Sequence, residues 1–161
     1  MTAVTHLPLA TVAAAEFRKR QKRAREIVGN RGMSPASANR HLAPWLAIAC
    51  RCGADLPELA ELLADRRIDV GLALASEEEK PLREAEARWL AADDICPRSQ
   101  WVPVLAAARD AAFASYLADE QNAALVSAAA ALQRIALHLA WDPNGCHVPP
   151  FKFPETAKAA A

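Results

Sequence analysis

ATVAAAEFRKRQKRAREIVGNR, residues 10–31, carries two superimposed patterns, one apolar and one cationic. Ala13, Phe17, Ala24 and Val28 recur near helical spacing, with Ile27 beside them, which predicts a helix from about Ala10 to Val28. Gly29-Asn30 supplies its C-terminal stop, and Arg25 in the last turn suits the helix dipole. Arg18, Lys22 and Arg25 fall at i, i+4 and i+7 and form one cationic ridge, with Lys19 and Arg23 making a second beside it.

Residues 16–31 hold seven of the nineteen Lys and Arg residues against Glu16 and Glu26, a net of +5. The formal charge of the whole chain is zero and residues 1–15 carry no charged side chain, so residues 32–161 hold −5. The balance is thus a basic arm against an acidic body. Glu77, Glu78, Glu79, Glu84 and Glu86 form the densest acidic run, a candidate surface for neutralising the arm within the chain or in a symmetric neighbour.

The rest of the chain repeats the helical rhythm. At 161 residues, with only five glycines, it is long enough for one core and favours helix by propensity. Ser34-Pro35 reads as an N-cap followed by Pro at the first helical position, and Pro44 interrupts that helix or starts another. Trp45, Leu46, Ile48 and Ala49 supply its apolar surface, and Gly53 its stop. Asp55 and Glu58 have capping-box spacing ahead of a short helix at about Leu56–Ala64. Ile68–Ala75 reads as a short apolar helical segment, with Ser76 as the next cap.

Leu82, Ala85, Trp89 and Leu90 mark the buried face of the following helix, which Cys96-Pro97 ends. Two long helices are predicted at about Ser99–Ala118 and Glu120–Trp141. The first buries Trp101, Val104 or Leu105, Ala108, Ala112 and Tyr116, and the second Leu125, Leu132, Ile135 and Leu139. Asp142-Pro143-Asn144-Gly145 is a turn, and VPPFKFP beyond it is extended. The expectation is an all-α, compact bundle of about five or six helices. Residues 1–31 form a basic helical arm, 32–142 the helical domain and 143–161 an extended Pro-rich tail.

Other motifs bear less weight. ELAELLADRRIDVGLALAS, residues 58–76, has helix-turn-helix rhythm, but its second helix offers Asp69, Gly71, Leu72 and Leu74 where base-reading donors belong. Only Arg66 and Arg67, at its entrance, could reach a phosphate or base, so two packed short helices are the better account. Cys50, Cys52, Cys96, Cys146 and His147 supply enough atoms for tetrahedral zinc, but Cys50 and Cys52 diverge by about 200° on a helix. Buried free thiols are expected instead, with no metal and no cofactor.

His6, His41 and His138 have no acid and nucleophile near them in sequence, and Asp93-Asp94 reads as a solvated pair. Trp45, Trp89, Trp101 and Trp141 read as core anchors. No catalytic residue and no small-molecule substrate are expected. No uninterrupted apolar stretch approaches the roughly 20 residues of a membrane span. The apolar run LPLATVAAA precedes the basic cluster, the reverse of a signal peptide, which places the chain in the cytoplasm with reduced thiols.

The function expected is non-enzymatic binding or regulation. Arg18, Lys19, Lys22, Arg23, Arg25 and Arg31 contact nucleic acid, largely through phosphates. The alternative is a protein–protein adaptor or inhibitor, homodimers included, in which the arm docks an acidic protein surface.

Overall fold

Residues 7–140, which the structure (a computed structural model) describes, are all-α: six helices, with no strand among the described residues. They are α1 (Leu9–Gly29), α2 (Pro35–Arg51), α3 (Ala60–Asp69), α4 (Lys80–Ile95), α5 (Arg98–Ala118) and α6 (Ala123–Ala140). Short 3-10 turns occur at Pro57–Leu59 and Leu72–Leu74. His6, Trp141, Cys146, His147, the turn expected at 142–145 and the extended tail expected at 143–161 lie outside the described residues.

Leu7–Trp101 makes one compact unit. Within it α2 packs against both α1 and α4, and α3 against α4. Phe17, Trp45, Ile48, Leu59, Leu63 and Trp101 are its large buried side chains. Ala47, Ala49, Ala87, Ala91 and Ala92 are fully buried between them, and their small size lets α2 and α4 approach closely. Arg51 is buried among aromatics, its guanidinium 5.6 Å from the Trp89 and Trp101 rings.

The second unit begins at Val102. Its part of α5 buries Leu105, Ala106 and Arg109, and sets Phe113 edge-on to Tyr116 with ring centroids 6.4 Å apart. α6 buries Ala129, Leu132, Ile135, Ala136 and Leu139. Among the described helices α6 alone is long and apolar enough to cross a membrane by length and composition, with Gln133, Arg134 and His138 interrupting its apolar run.

Helix ends follow local chemistry. Ser34 caps α2, its Oγ accepting from the Ser37 N–H at 3.1 Å. α2 then runs unbroken through Pro44, contrary to the expected interruption. Proline removes one donor, but Arg40, whose carbonyl loses it, is exposed and water can replace the bond. Gly53, at φ +92°, ends α2: its N–H donates to the Cys50 carbonyl and the Ala54 N–H to that of Ala49. At the start of α6 the Asn122 side chain accepts from the Ala124 N–H at 3.1 Å, so that helix begins later than Glu120.

α1 ends at the predicted Gly29-Asn30, with Asn30 as its C-cap, but neither of those residues is left-handed. Gly29 stays helical and the left-handed residue is Arg31, at φ +58°. The Arg31 N–H donates to Val28 O at 3.0 Å and the Gly32 N–H to Ile27 O at 2.9 Å, a closure that ordinarily falls to glycine. Arg31→Gly removes the Cβ clash of that conformation and should raise stability by about 0.5–1 kcal/mol. Thermal unfolding checks it; an unchanged or lower midpoint would contradict the assignment.

Three further expectations are corrected. Asp55 does not cap a helix, because Arg88 and Arg67 hold its carboxylate, and Glu58 turns to Arg18. Charge-assisted bonds outcompete the local cap. Ile68–Ala75 is not one helix: α3 ends at Asp69, Gly71 turns the chain at φ +69°, and Leu72–Leu74 is a single 3-10 turn. On α4, Leu82 is 73% exposed and the buried stripe is Ala87, Arg88, Ala91 and Ala92. An arginine stands in the middle of that stripe, which disguises it from a hydrophobicity pattern.

Candidate nucleic-acid interface

α1 is amphipathic about a tight apolar seam. Val12, Ala13, Phe17 and Ala24 are buried, and so is Glu16. That carboxylate binds two cations of its own helix, Lys19 at 3.2 Å and Arg20. The Arg20 guanidinium lies 3.4 Å from the centroid of the Trp45 ring on α2, so it is held by a carboxylate and an aromatic face together. Arg18 is also committed. Its two terminal nitrogens meet Glu58 at 2.6 and 3.1 Å, and Gln21 accepts a further bond at 2.6 Å. The Glu58 carboxyl is held below the usual carboxylate range, first by that Arg18 bond.

Lys22, Arg23, Arg25 and Arg31 differ from these. All four are exposed, and none makes an ion pair or side-chain hydrogen bond among the described residues. Lys22 lies on the side of α1 opposite the Phe17–Ala24 seam, and Arg31 follows at the helix exit. Exposed Arg40, early in α2, adds a fifth cation to this end of the helix pair. Alongside Arg25, a groove of about 420 Å³ runs between α1 and α2, floored by Ala24, Val28, Ala38 and Leu42. The six residues predicted from the sequence thus divide into two tied down, Arg18 and Lys19, and four presented to solvent.

The acidic run does not meet the arm. Glu77 binds Lys80 at 2.5 Å, Glu84 binds Arg67 and Arg88, and Glu86 faces Arg83 at 3.4 Å. Glu58, an isolated acid outside that run, is the partner of α1. Spacing along the sequence could not reveal this, because Arg18 and Glu58 come together only through the α1–α2 packing and the turn before α3.

The remaining candidates are occupied structurally. Arg66 is bound through two nitrogens to Asp94 at 2.7 Å each, and Arg67 to Glu84 at 2.6 and 2.8 Å. Neither cation of the helix-turn-helix-like segment is therefore presented to a ligand, and its second helix is the single turn Leu72–Leu74. Asp93 faces Arg98 at 3.4 Å, so the Asp93-Asp94 pair is divided between two arginines.

Cys50, Cys52 and Cys96 are buried free thiols. Burial pushes Cys50 up to about 11 and Cys52 to about 12, and raises Cys96, so none is a thiolate near neutrality. No group of three metal-ligating side chains occurs among the described residues. No family model matches the chain, and neither curated proteins nor solved structures provide a match.

Proposed function

We propose that the protein is a non-enzymatic binding protein whose basic N-terminal helix contacts nucleic acid through its phosphates. The observation that carries this reading is the set Lys22, Arg23, Arg25 and Arg31: four exposed cations within ten residues and without internal counter-ions. A polyanion displacing counterions from them gains free energy from salt release, with no base-specific contact required. Arg18 and Lys19 flank the patch but already face carboxylates, so they contribute less. Phe17 is buried, which leaves no aromatic on this face for base stacking.

Binding to a short DNA or RNA duplex should be largely independent of sequence. Four neutralised phosphates give a slope of log K against log salt of about −3.6, or roughly a hundredfold weakening between 50 and 200 mM. A fluorescence titration across that range measures it. No binding at 50 mM, or binding indifferent to salt, overturns the proposal.

An acidic protein surface is the second reading, and the Arg18–Glu58 pair shows the chemistry it would use. Acidic polypeptide that outcompetes duplex at equal charge concentration would favour it.

A further inference from the structure

The groove of about 420 Å³ between α1 and α2 opens directly beside Arg25. Ala24, Val28, Pro35, Ala38 and Leu42 give it aliphatic walls, and its volume lies in the range of sites that enclose a small ring system, roughly 300–1,000 Å³. Gly29, the last residue of α1, also lines it. Gly29 lacks the positive φ that calls for glycine, and a Cβ there would meet no other part of the chain within 4 Å. Neither backbone nor packing within this chain therefore requires glycine at this position, although glycine weakens a helix. Its missing side chain keeps that side of the groove open, so a bound body can lie against the backbone.

The lining identifies the occupant. Among the described residues Arg25 is the one charged group on the groove, exposed and without an ion pair. Glu26, the one exposed acid of α1, follows it by about 100° of helix rotation on the side away from Val28, and does not line the groove. An occupant that gains from both features carries negative charge beside an apolar body. Two side-chain amides border the same space. Gln21 is held by Arg18, whereas the exposed Asn39 amide makes no hydrogen bond among the described residues. A free amide offers a donor and an acceptor side by side, the pattern that pairs with a base edge. A saturated acyl chain leaves that amide unused, and a duplex keeps its base faces stacked. A single strand supplies a planar apolar body, a polar edge and an adjoining phosphate at every nucleotide. Lys22 and Arg31, exposed before and after Arg25, extend the positive field for its further phosphates.

We infer that the α1–α2 groove takes an unpaired nucleobase of a single-stranded nucleic acid, with Arg25 on the adjoining phosphate and the Asn39 amide on the base edge. This occupancy rests on the phosphate-binding reading of α1 and names the class of strand that surface prefers. Val28 and Leu42 meet the base in place of an aromatic ring, so the gain per base falls at the low end of what stacking supplies.

Fluorescence anisotropy of the full chain at about 50 mM salt tests the inference with three probes of equal phosphate number: a single strand, an abasic single strand and a duplex. The single strand should bind about five- to tenfold tighter than the abasic strand. Gly29→Leu fills the groove and should bring those two strands to equal affinity, while duplex affinity and its salt slope stay unchanged. Its melting temperature should hold or rise, since leucine favours helix and its Cβ meets open space. Asn39→Ala, at an exposed position, should weaken the single strand about two- to tenfold and leave the abasic strand unaffected. Equal binding of base-bearing and abasic strands overturns the inference and leaves the phosphate reading in place. So does a single-strand preference that survives Gly29→Leu. Binding of none of the three probes overturns both readings together. An acidic peptide with apolar side chains that loses affinity on Gly29→Leu, when the strands do not, assigns the groove to protein and overturns the inference as well.

Discussion

Arg88→Ala should lower the unfolding free energy by about 3–5 kcal/mol, because the buried carbonyls of Cys50 and Ala54 each lose a charged donor. Arg88 lies in the buried stripe of α4 with its side chain 9% exposed. Its Nη1 donates to the Cys50 carbonyl at 3.1 Å and the Ala54 carbonyl at 3.0 Å. Nη2 donates to Asp55 at 2.7 Å and Nε to Glu84 at 3.1 Å. One guanidinium therefore ties the end of α2 and the connector beyond it to α4. Through Glu84, which Arg67 also binds and whose carboxyl it holds below the usual range, the network reaches α3.

Alanine strips donors from two backbone carbonyls and a counter-ion from two carboxylates at once. The thermal midpoint should fall by at least about 10 °C for a unit of this size. Arg88→Lys keeps the charge but not the planar fork, and should lose about 1–3 kcal/mol because one ammonium cannot serve four acceptors. Urea unfolding with an unchanged slope gives both values. A loss below about 1 kcal/mol for Arg88→Ala would show that other groups satisfy those carbonyls.

Replacing Lys22, Arg23, Arg25 and Arg31 together by glutamine should abolish detectable duplex binding at 50 mM salt, a loss of at least about a hundredfold. The four side chains are exposed and make no bond that the fold uses, so stability should hold within about 0.5 kcal/mol per site. Arg18→Gln is the informative companion. On helical spacing alone Arg18 belongs to the same ridge as Lys22 and Arg25, and its removal should flatten the salt slope by about one unit. In the fold its charge is already spent on Glu58, so the slope should barely move. The Glu58 carboxyl should instead return toward its ordinary range, which a carboxylate NMR titration reads directly. If Arg18→Gln weakens duplex binding as much as Lys22→Gln does, the ion pair opens on binding and the division into tied and presented cations fails.

Much of the helical order was legible because its signals are local. Ser34-Pro35, Gly53 and Cys96-Pro97 act over one turn, so the boundaries they imply agree with α2 and with the end of α4. The errors fall where a distant group competes. Asp55 looked like a cap until Arg88 and Arg67 claimed it. Leu82 looked buried because the true seam of α4 is small alanines around an arginine, a pattern that hydrophobicity cannot register. Of the six candidate contact residues, the sequence shows their number and their helical register. It holds no sign of Glu58 reaching back across the chain to Arg18.

The sequence by itself determined that the described chain is helical, where most of its helices stop, and that positive charge gathers in α1. Propensity, proline, glycine and capping side chains act between residues a few positions apart, so they can be read in one dimension. Only the tertiary structure decided which cations are spent and which are presented. It also separated the acidic run from the arm, set Arg88 at the junction of α2 and α4, and left Ile68 and Leu74 on an open groove. An ion pair or an exposed face depends on what packing brings within a few ångströms, and in this chain those partners stand up to forty residues apart.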